Sequence, residues 1–357
     1  SMFDCFCLQC VMNTLSVDQC FFYDKRVVIR IDFDVPIHDG KIVSDKKIRD
    51  ALPTILHVLN QGAKSAVLIS HLDCPNGQPV AQYSLEPVAI KLERLLDHQV
   101  IFLDDCVGEQ VEIKCADPSP GSVFLLENLR FHHEEVGSHI DSLGKRTQSL
   151  SRLGDIFIND AFETCHTRHS SVVGIDLPVK AAGFQVMREL QFFHSFLYEP
   201  RRPFLAMVGG LLLTDKIPLF DHLLDLADDI IIAGGLAFTF LKVLHGISIG
   251  RSVYDEQAAS LVPIIVDRAR IKHIHIHLPR DIVVASKFDP LADTRTINMP
   301  AGIPDGWIGL DIGVKTQKIF ADVIGRARTI LWHGPPGVYE MDSCSKGTEQ
   351  TVKAVVK

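Results

Sequence analysis

Polar side chains gather where short apolar runs end in the first half of the chain. Asp32 and Asp34 follow the run Arg26–Ile31, His71-Leu72-Asp73 follows Ser65–Ser70, and Asn128–His133 (NLRFHH) follows Ser122–Leu126. Asn159-Asp160 closes Asp155–Asn159, ahead of His166–Ser171 (HTRHSS). Open α/β sheets bind ligands at the carboxyl ends of their strands. Arginines and imidazoles converging on such an edge predict an anion pocket in the first half. Any one of these residues alone is more often a strand-end cap or a turn former; their recurrence at successive strand ends is what favours the pocket. The second half carries a different chemistry. Gly209-Gly210 follows an apolar run and Thr214-Asp215-Lys216 opens a helical stretch, Ala233-Gly234-Gly235 repeats that design, and His333–Gly337 (HGPPG) forms a third glycine-rich turn. Backbone amides at such turns suit phosphate, although glycines also serve ordinary tight turns. Neither a P-loop nor a Gly-x-Gly-x-x-Gly fingerprint is present.

Positioning these groups requires strands that alternate with helices. Arg26–Ile31, Ser65–Ser70, Val100–Leu103, Ser122–Leu126 and Asp155–Asn159 read as buried strands, and Lys47–Asn60 and Leu85–Leu96 have helical spacing of apolar residues. The pattern restarts with strands at Pro203–Val208, Asp229–Ala233, His273–His277 and Arg328–Trp332, and helices at Thr214–Leu226 and Val314–Gly325. Alternation of this kind builds parallel sheets covered on both faces. The predicted fold is therefore α/β, with two doubly wound, Rossmann-like parallel-sheet domains joined by a helix around Met187–Phe196. The prolines and arginines of Glu199–Pro203 (EPRRP) mark the break. The expected division is an N-terminal extension (1–12), a first domain (13–186), an interdomain helix and hinge (187–200) and a second domain (201–357). Bilobed α/β proteins of this type bind ligands in the cleft.

Composition narrows the function classes. The chain has 357 residues, with 36 Lys plus Arg against 44 Asp plus Glu, for a formal net charge of −8. No basic excess exists to neutralise nucleic-acid phosphates. The longest uncharged apolar run, Ile230–Leu241, has 12 residues, short of the roughly 20 a membrane span needs. Nine cysteines, odd in number and without paired spacing, suggest reduced cytoplasmic thiols. Cys5, Cys7 and Cys10 could hold a metal or a lipid, but no nearby His or second Cys pair completes a site, and a frayed extension is the plainer reading. His273, His275 and His277 alternate along a predicted strand and would share one face. They could bind Zn2+ or form a solvated outer face beside Lys272.

Longer motifs carry a specific resemblance. Val27–Pro36 (VVIRIDFDVP), Leu125–His132 (LLENLRFH), Asn159–Phe162 (NDAF), His169–Gly174 (HSSVVG), Arg202–Gly210 (RPFLAMVGG), Gly234–Lys242 (GGLAFTFLK), Asp305–Gly313 (DGWIGLDIG) and His333–Glu340 (HGPPGVYE) resemble the phosphoglycerate kinase family from about Asn13 to the last residue. The resemblance implies a monomeric, cytoplasmic, two-domain hinge enzyme of glycolysis, a phosphotransferase with a carboxyl acceptor. Such enzymes move phosphate between 1,3-bisphosphoglycerate and ADP with Mg2+, yielding 3-phosphoglycerate and ATP. No nucleic-acid or membrane partner is implied. On the substrate side the resemblance assigns Asp32, Asp34, His71, Arg130 and His169, with Lys47 in the place of the arginine that stabilises the transferring phosphoryl group. On the nucleotide side it assigns Gly210, Lys216, Gly234, Gly235, Gly309, Leu310, His333 and Glu340, and it gives Lys216 a catalytic role beside Lys47.

Departures from the family pattern matter as much. The family's Asp-Phe-Asn is Asp32-Phe33-Asp34 here, and its His-Leu-Gly-Arg-Pro is His71-Leu72-Asp73-Cys74-Pro75, so an arginine is lost and two acids are gained. Lys47 keeps the charge but not the planar fork of arginine. The family's His-Arg-Ala-His is His166-Thr167-Arg168-His169, the first lysine of its nucleotide motif is Leu212, and its Asn-Gly-Pro is His333-Gly334-Pro335. The resemblance further places the family's Gly-Gly-Gly-Asp-Thr loop, with its Mg2+-binding Asp, beyond Lys357. No residue is therefore assigned to the metal, and an incomplete nucleotide domain is expected. Three functions follow: a phosphoglycerate kinase of strongly impaired turnover, a pseudoenzyme that binds nucleotide or a partner, or a retrocopy or splice product without function.

Overall fold

The computed structural model describes residues 14–38, 40–136, 148–198 and 200–357. The Cys5-Cys7-Cys10 cluster, the extension 1–12 and hinge residue Glu199 lie outside the described residues. The chain divides into two compact units, the first ending at His194 and the second starting at Ser195.

In the first unit, six strands form one parallel sheet: β1 (Arg26–Arg30), β4 (Ser65–Ile69), β5 (Val100–Leu103), β6 (Ser122–Leu126), β7 (Ile156–Asn159) and β8 (Val179–Ala182), in the order β5-β6-β4-β1-β7-β8. A small hairpin, β2 (Ile37–His38) and β3 (Lys41–Ile42), stands apart. Side chains alternate across the sheet as the strand period of two requires. Val27 and Ile29 face a core with Ile48 and Ile55 of α1 (Lys46–Asn60) and Val88 and Leu92 of α2 (Glu86–Leu96). Val28 turns to the opposite face, with Val67, Phe124 and Val111 of α3 (Glu109–Ala116). Both faces are covered, so these strands are predominantly apolar. The helix expected around Met187–Phe196 is longer than the sequence pattern indicates, Phe184–Tyr198 (α4).

The second unit has a four-stranded parallel sheet, β11-β10-β9-β15, built from β9 (Phe204–Val208), β10 (Asp229–Ile232), β11 (His275–His277) and β15 (Thr329–His333). Its helices are α5 (Ile217–Leu226), α6 (Gly234–His245), α7 (Val262–Ile271), α8 (Val314–Arg326) and α9 (Lys346–Val356).

Three local expectations need correction. A separate antiparallel sheet, β13-β12-β14, is formed by β12 (Asp281–Ala285), β13 (Thr294–Asn298) and β14 (Ile308–Ile312). Its edge strand TRTIN is mostly exposed and lacks the apolar run that marks a buried strand. The helix expected from Thr214 begins only at Ile217, after a 3-10 turn over Thr214–Lys216; Pro218 at its start suits a first helical turn and no later one. His273 is not on a strand. Helix α7 ends at Ile271, and His273 takes a left-handed conformation, φ 58°, to turn the chain. Strand β11 starts two residues later, His277 pairs with Asp229 at 2.6 Å, and the three imidazoles do not share one strand face. No disulfide joins any two of the six described cysteines. Among the described residues no helix is long and apolar enough to cross a membrane.

Candidate functional site

At the carboxyl edge of the first unit's sheet, β1 supplies Arg30 as its last residue and Asp32 and Asp34 beyond it. The Asp32 carboxylate accepts the Asp34 amide at 3.0 Å, and Ser70 Oγ accepts the Phe33 amide at 2.9 Å, so the loop is pinned to the end of β4. Lys47, in the first turn of α1, donates to Asp32 Oδ2 at 2.8 Å and to Glu163 Oε2 at 3.0 Å. Burial disfavours charge on both Asp32 and Lys47. The hydrogen bonds between them, with the Asp34 amide and Glu163 assisting, more than offset it, holding the Asp32 carboxyl below and the Lys47 ammonium above their ordinary pKa. This cation is already neutralised by two acids.

His71 lies behind this pair. Its Nδ1 is 2.9 Å from Arg30 Nη2. A guanidinium can only donate, so Nδ1 accepts and Nε2 carries the proton, 3.8 Å from Asp34 Oδ2. Burial, then repulsion from Arg30 and Arg130, pushes the His71 pKa down to about 3. The imidazole is neutral and offers one N–H. His169 is also driven toward neutrality, first by burial and then by Arg130 and Arg30, against the opposing pull of Glu135 3.9 Å away. Its Nδ1 is buried without a hydrogen-bond partner. Arg130 leaves a 3-10 turn after β6 and donates to the Asp73 carbonyl at 2.8 Å and to Cys74 Sγ at 3.3 Å. Arg168 and His166 are exposed.

Sequence reasoning overlooked the foundation of this edge. Arg30 is fully buried; its Nε donates to Ser171 Oγ at 3.1 Å and its Nη1 to the Ile31 carbonyl. Ser171 Oγ in turn donates to Glu135, itself 0% exposed, which also accepts from Ser170. An arginine inside the apolar run VVIRI was the available signal, since a buried charge is rare unless paired. Glu163 was also missed, and as an exposed acid in a loop it gave no sequence signal.

The second unit gathers its glycine turns at the carboxyl ends of β9, β10 and β15. Gly210 has φ 120° and Gly234 φ 65°. A Cβ on Gly234 would sit 2.9 Å from the Gly210 amide nitrogen, so the two turns pack backbone to backbone. The Lys216 side chain passes over Gly210, with Cε 3.6 Å from the place a Cβ would occupy. Thr214, at the start of the same turn, is tied by its amide and hydroxyl to Asp255 at 2.7 and 2.8 Å. The His333 carbonyl accepts the Gly209 amide at 2.8 Å, and the His333 ring is exposed. Gly210, Lys216, Gly234, Gly235 and His333 are thus neighbours. Gly309 and Leu310 lie apart from them on β14. Gly309 packs against the Phe238 ring, and Leu310 is buried with Met341 and Cys344. Glu340 is exposed in the segment after β15, where the Val338 amide donates to the Leu310 carbonyl at 2.8 Å.

The profile of the phosphoglycerate kinase family matches residues 17–357. The chain belongs to the phosphoglycerate kinase family. It is 48% identical over 97% of its length to a probable phosphoglycerate kinase of Caenorhabditis elegans, 86% of which is covered, and equally to the phosphoglycerate kinase of Aplysia californica. Among solved structures, the phosphoglycerate kinase of Coxiella burnetii superimposes with a TM-score of 0.84 at 32% identity, covering 96% of this chain and 85% of that one.

Proposed function

We propose that the chain is a phosphoglycerate kinase by descent, built for reversible phosphoryl transfer between 1,3-bisphosphoglycerate and ADP, in which turnover is strongly reduced. In this reading phosphoglycerate binds at the first unit's edge and the magnesium nucleotide binds as substrate at the second unit's glycine edge. Lys47 and Arg130 attract the anion, and neutral His71 and His169 serve as hydrogen-bond donors to it. Lys216, above the Gly210 and Gly234 backbone, meets the nucleotide phosphates. The protein acts as a monomer in the cytoplasm.

The reduced turnover rests on one observation, the salt bridges of Lys47 to Asp32 and Glu163. Phosphoryl transfer depends on positioning and electrostatic stabilisation, and one preorganised donor is typically worth about 10² to 10³ in rate. A lysine already paired twice is poorly disposed to serve the transferring phosphoryl group, whose negative charge is spread over three oxygens. The substitution of Leu212 for the first lysine of the nucleotide motif removes a second cation. A nucleotide-binding pseudoenzyme is the second reading, favoured because Lys216, over the Gly210 and Gly234 backbone, forms no ion pair among the described residues.

A coupled assay with calorimetry on the purified chain decides between them. Magnesium ADP should bind, 3-phosphoglycerate should bind weakly, and turnover should fall at least about a thousandfold below an active family member. Measurable but slow turnover keeps the kinase reading, and nucleotide binding without turnover selects the pseudoenzyme. Rapid turnover refutes the impairment, and failure to bind either ligand refutes both readings in favour of a chain without function.

A further inference from the structure

Strands β5 and β6 are parallel neighbours, with Leu103 opposite Leu126, and the loops after them bring together three side chains that the proposed kinase reading does not use. Among the described residues, Asp105, Cys106 and His132 form a group whose ligand atoms all lie within 4.8 Å of one another. Cys106 is 1% exposed and packs in the apolar cluster with Leu103, Val111 and Leu129. Asp105 and His132 occupy the wetter side, 48% and 30% exposed at the side chain, and their Oδ1 and Nε2 atoms are 2.8 Å apart. The carboxylate is fixed by its own loop, accepting the Cys106 amide at 2.6 Å and the Val107 amide at 3.3 Å.

We infer that Asp105, Cys106 and His132 form a binding site for a borderline-soft divalent cation such as Zn2+. A carboxylate-imidazole hydrogen bond and a tight turn account for Asp105 and His132, but neither calls for a thiol at the same point. One sulfur, one nitrogen and one oxygen are a ligand set that Zn2+ accepts at about 2.0 to 2.3 Å, with water completing a tetrahedron. The atoms need to close by only about 1 Å, and the solvent-facing side leaves room for that water. Thiolate and imidazole select Zn2+ or Co2+ over hard Mg2+, so the site is distinct in chemistry from a magnesium-nucleotide site. On binding, the Cys106 thiol gives its proton to solvent, the cation takes the sulfur lone pair, and the His132 proton moves to Nδ1, leaving Nε2 to the metal. The cation would tie the loop before α3 to the turn after β6.

The test is cobalt titration of the full-length, reduced chain, read by the thiolate-to-cobalt charge-transfer band, with zinc competition. One equivalent should produce the band. Cys106→Ser should abolish it, and His132→Gln and Asp105→Asn should each weaken binding by at least about tenfold, the lower end of what losing even an outer-sphere partner costs. A Cys5→Ser/Cys7→Ser/Cys10→Ser variant should retain the band. Circular dichroism of each variant establishes that the fold is kept. Absence of the band in the parent chain, its survival in folded Cys106→Ser, or its loss in the triple variant overturns the inference. If Cys106→Ser does not fold, tenfold weakening by His132→Gln must carry the result, and unchanged affinity there overturns it as well.

Discussion

Lys47 concentrates the problem that this chain poses at the residue scale. Its ammonium lies between Asp32, only 13% exposed at the side chain, and Glu163, 66% exposed. The two partners are therefore unequal. The Asp32 bond is sheltered and also fixes the loop after β1, whereas an exposed pair contributes only about 0.2 to 1 kcal/mol. Removing the outer acid with Glu163→Gln should thus leave the fold intact. On the proposed reading it should tighten 3-phosphoglycerate binding by about 1.4- to fivefold, the factor that such an energy represents. Calorimetry at low and high salt checks this, and unchanged affinity at low salt shows that Glu163 does not compete for Lys47. Much of this edge could be read from the sequence, because Asp32, His71, Arg130 and His169 stand beside strand ends in recognisable motifs. Charge state could not. The protonation of His71 is set by burial and then by Arg30 at the end of β1 and Arg130 in the turn after β6, and no local pattern reports that two cations will crowd one buried imidazole. Glu163 was invisible for the same reason: its importance lies in a contact across 116 positions of sequence.

At the scale of elements, the parallel strands were legible because a strand buried on both faces must be predominantly apolar. The antiparallel sheet escaped because β13 is polar and exposed and β14 is interrupted by Gly309. That glycine has a packing reason. A Cβ there would lie 2.3 Å from Cζ of Phe238, a residue of α6 that is 4% exposed, and 3.1 Å from a methyl of Ile282 on β12. The bulge between Val283 and Val284 sets the register in which β14 meets β12. Gly309→Ala should therefore push α6 and β14 apart and destabilise the second unit by about 1 to 3 kcal/mol, as overpacking of a filled core does. Chemical denaturation followed by tryptophan fluorescence measures this directly. If α6 shifts, the Gly234-Gly235 turn at its start shifts with it, and nucleotide affinity should fall in the same variant. Loss of stability without loss of affinity would separate β14 from the nucleotide edge.

For the whole molecule, buried acids and a buried histidine impose opposite pH dependences, and the balance differs between the two units. Burial raises Asp311 in the second unit and Asp160 in the first to a pKa of about 6, each from an ordinary 3.8. A raised carboxyl binds its proton more tightly when folded, so its unit is most stable below about pH 4 and loses stability as pH rises through 6. For Asp311, 3% exposed, the shift amounts to on the order of 3 kcal/mol. His71 acts in the other direction. Its folded pKa is lowered from 6.5 to about 3, so the unfolded chain takes up a proton first and stability is lost as pH falls below 6.5. Asp160 and His71 oppose each other in the first unit between pH 4 and 6, while Asp311 acts in the second without a buried histidine to offset it. Both tryptophans, Trp307 and Trp332, belong to the second unit, so their fluorescence follows that unit alone, and a single unfolding free energy for the chain is not required. The tryptophan-detected melting temperature should therefore fall as pH is raised from 4.5 to 7, and Asp311→Asn should flatten that slope. Asp160→Asn should leave the tryptophan transition unchanged and alter only the remaining change in circular dichroism. A wild-type slope retained in Asp311→Asn would place the titrating group elsewhere in the second unit.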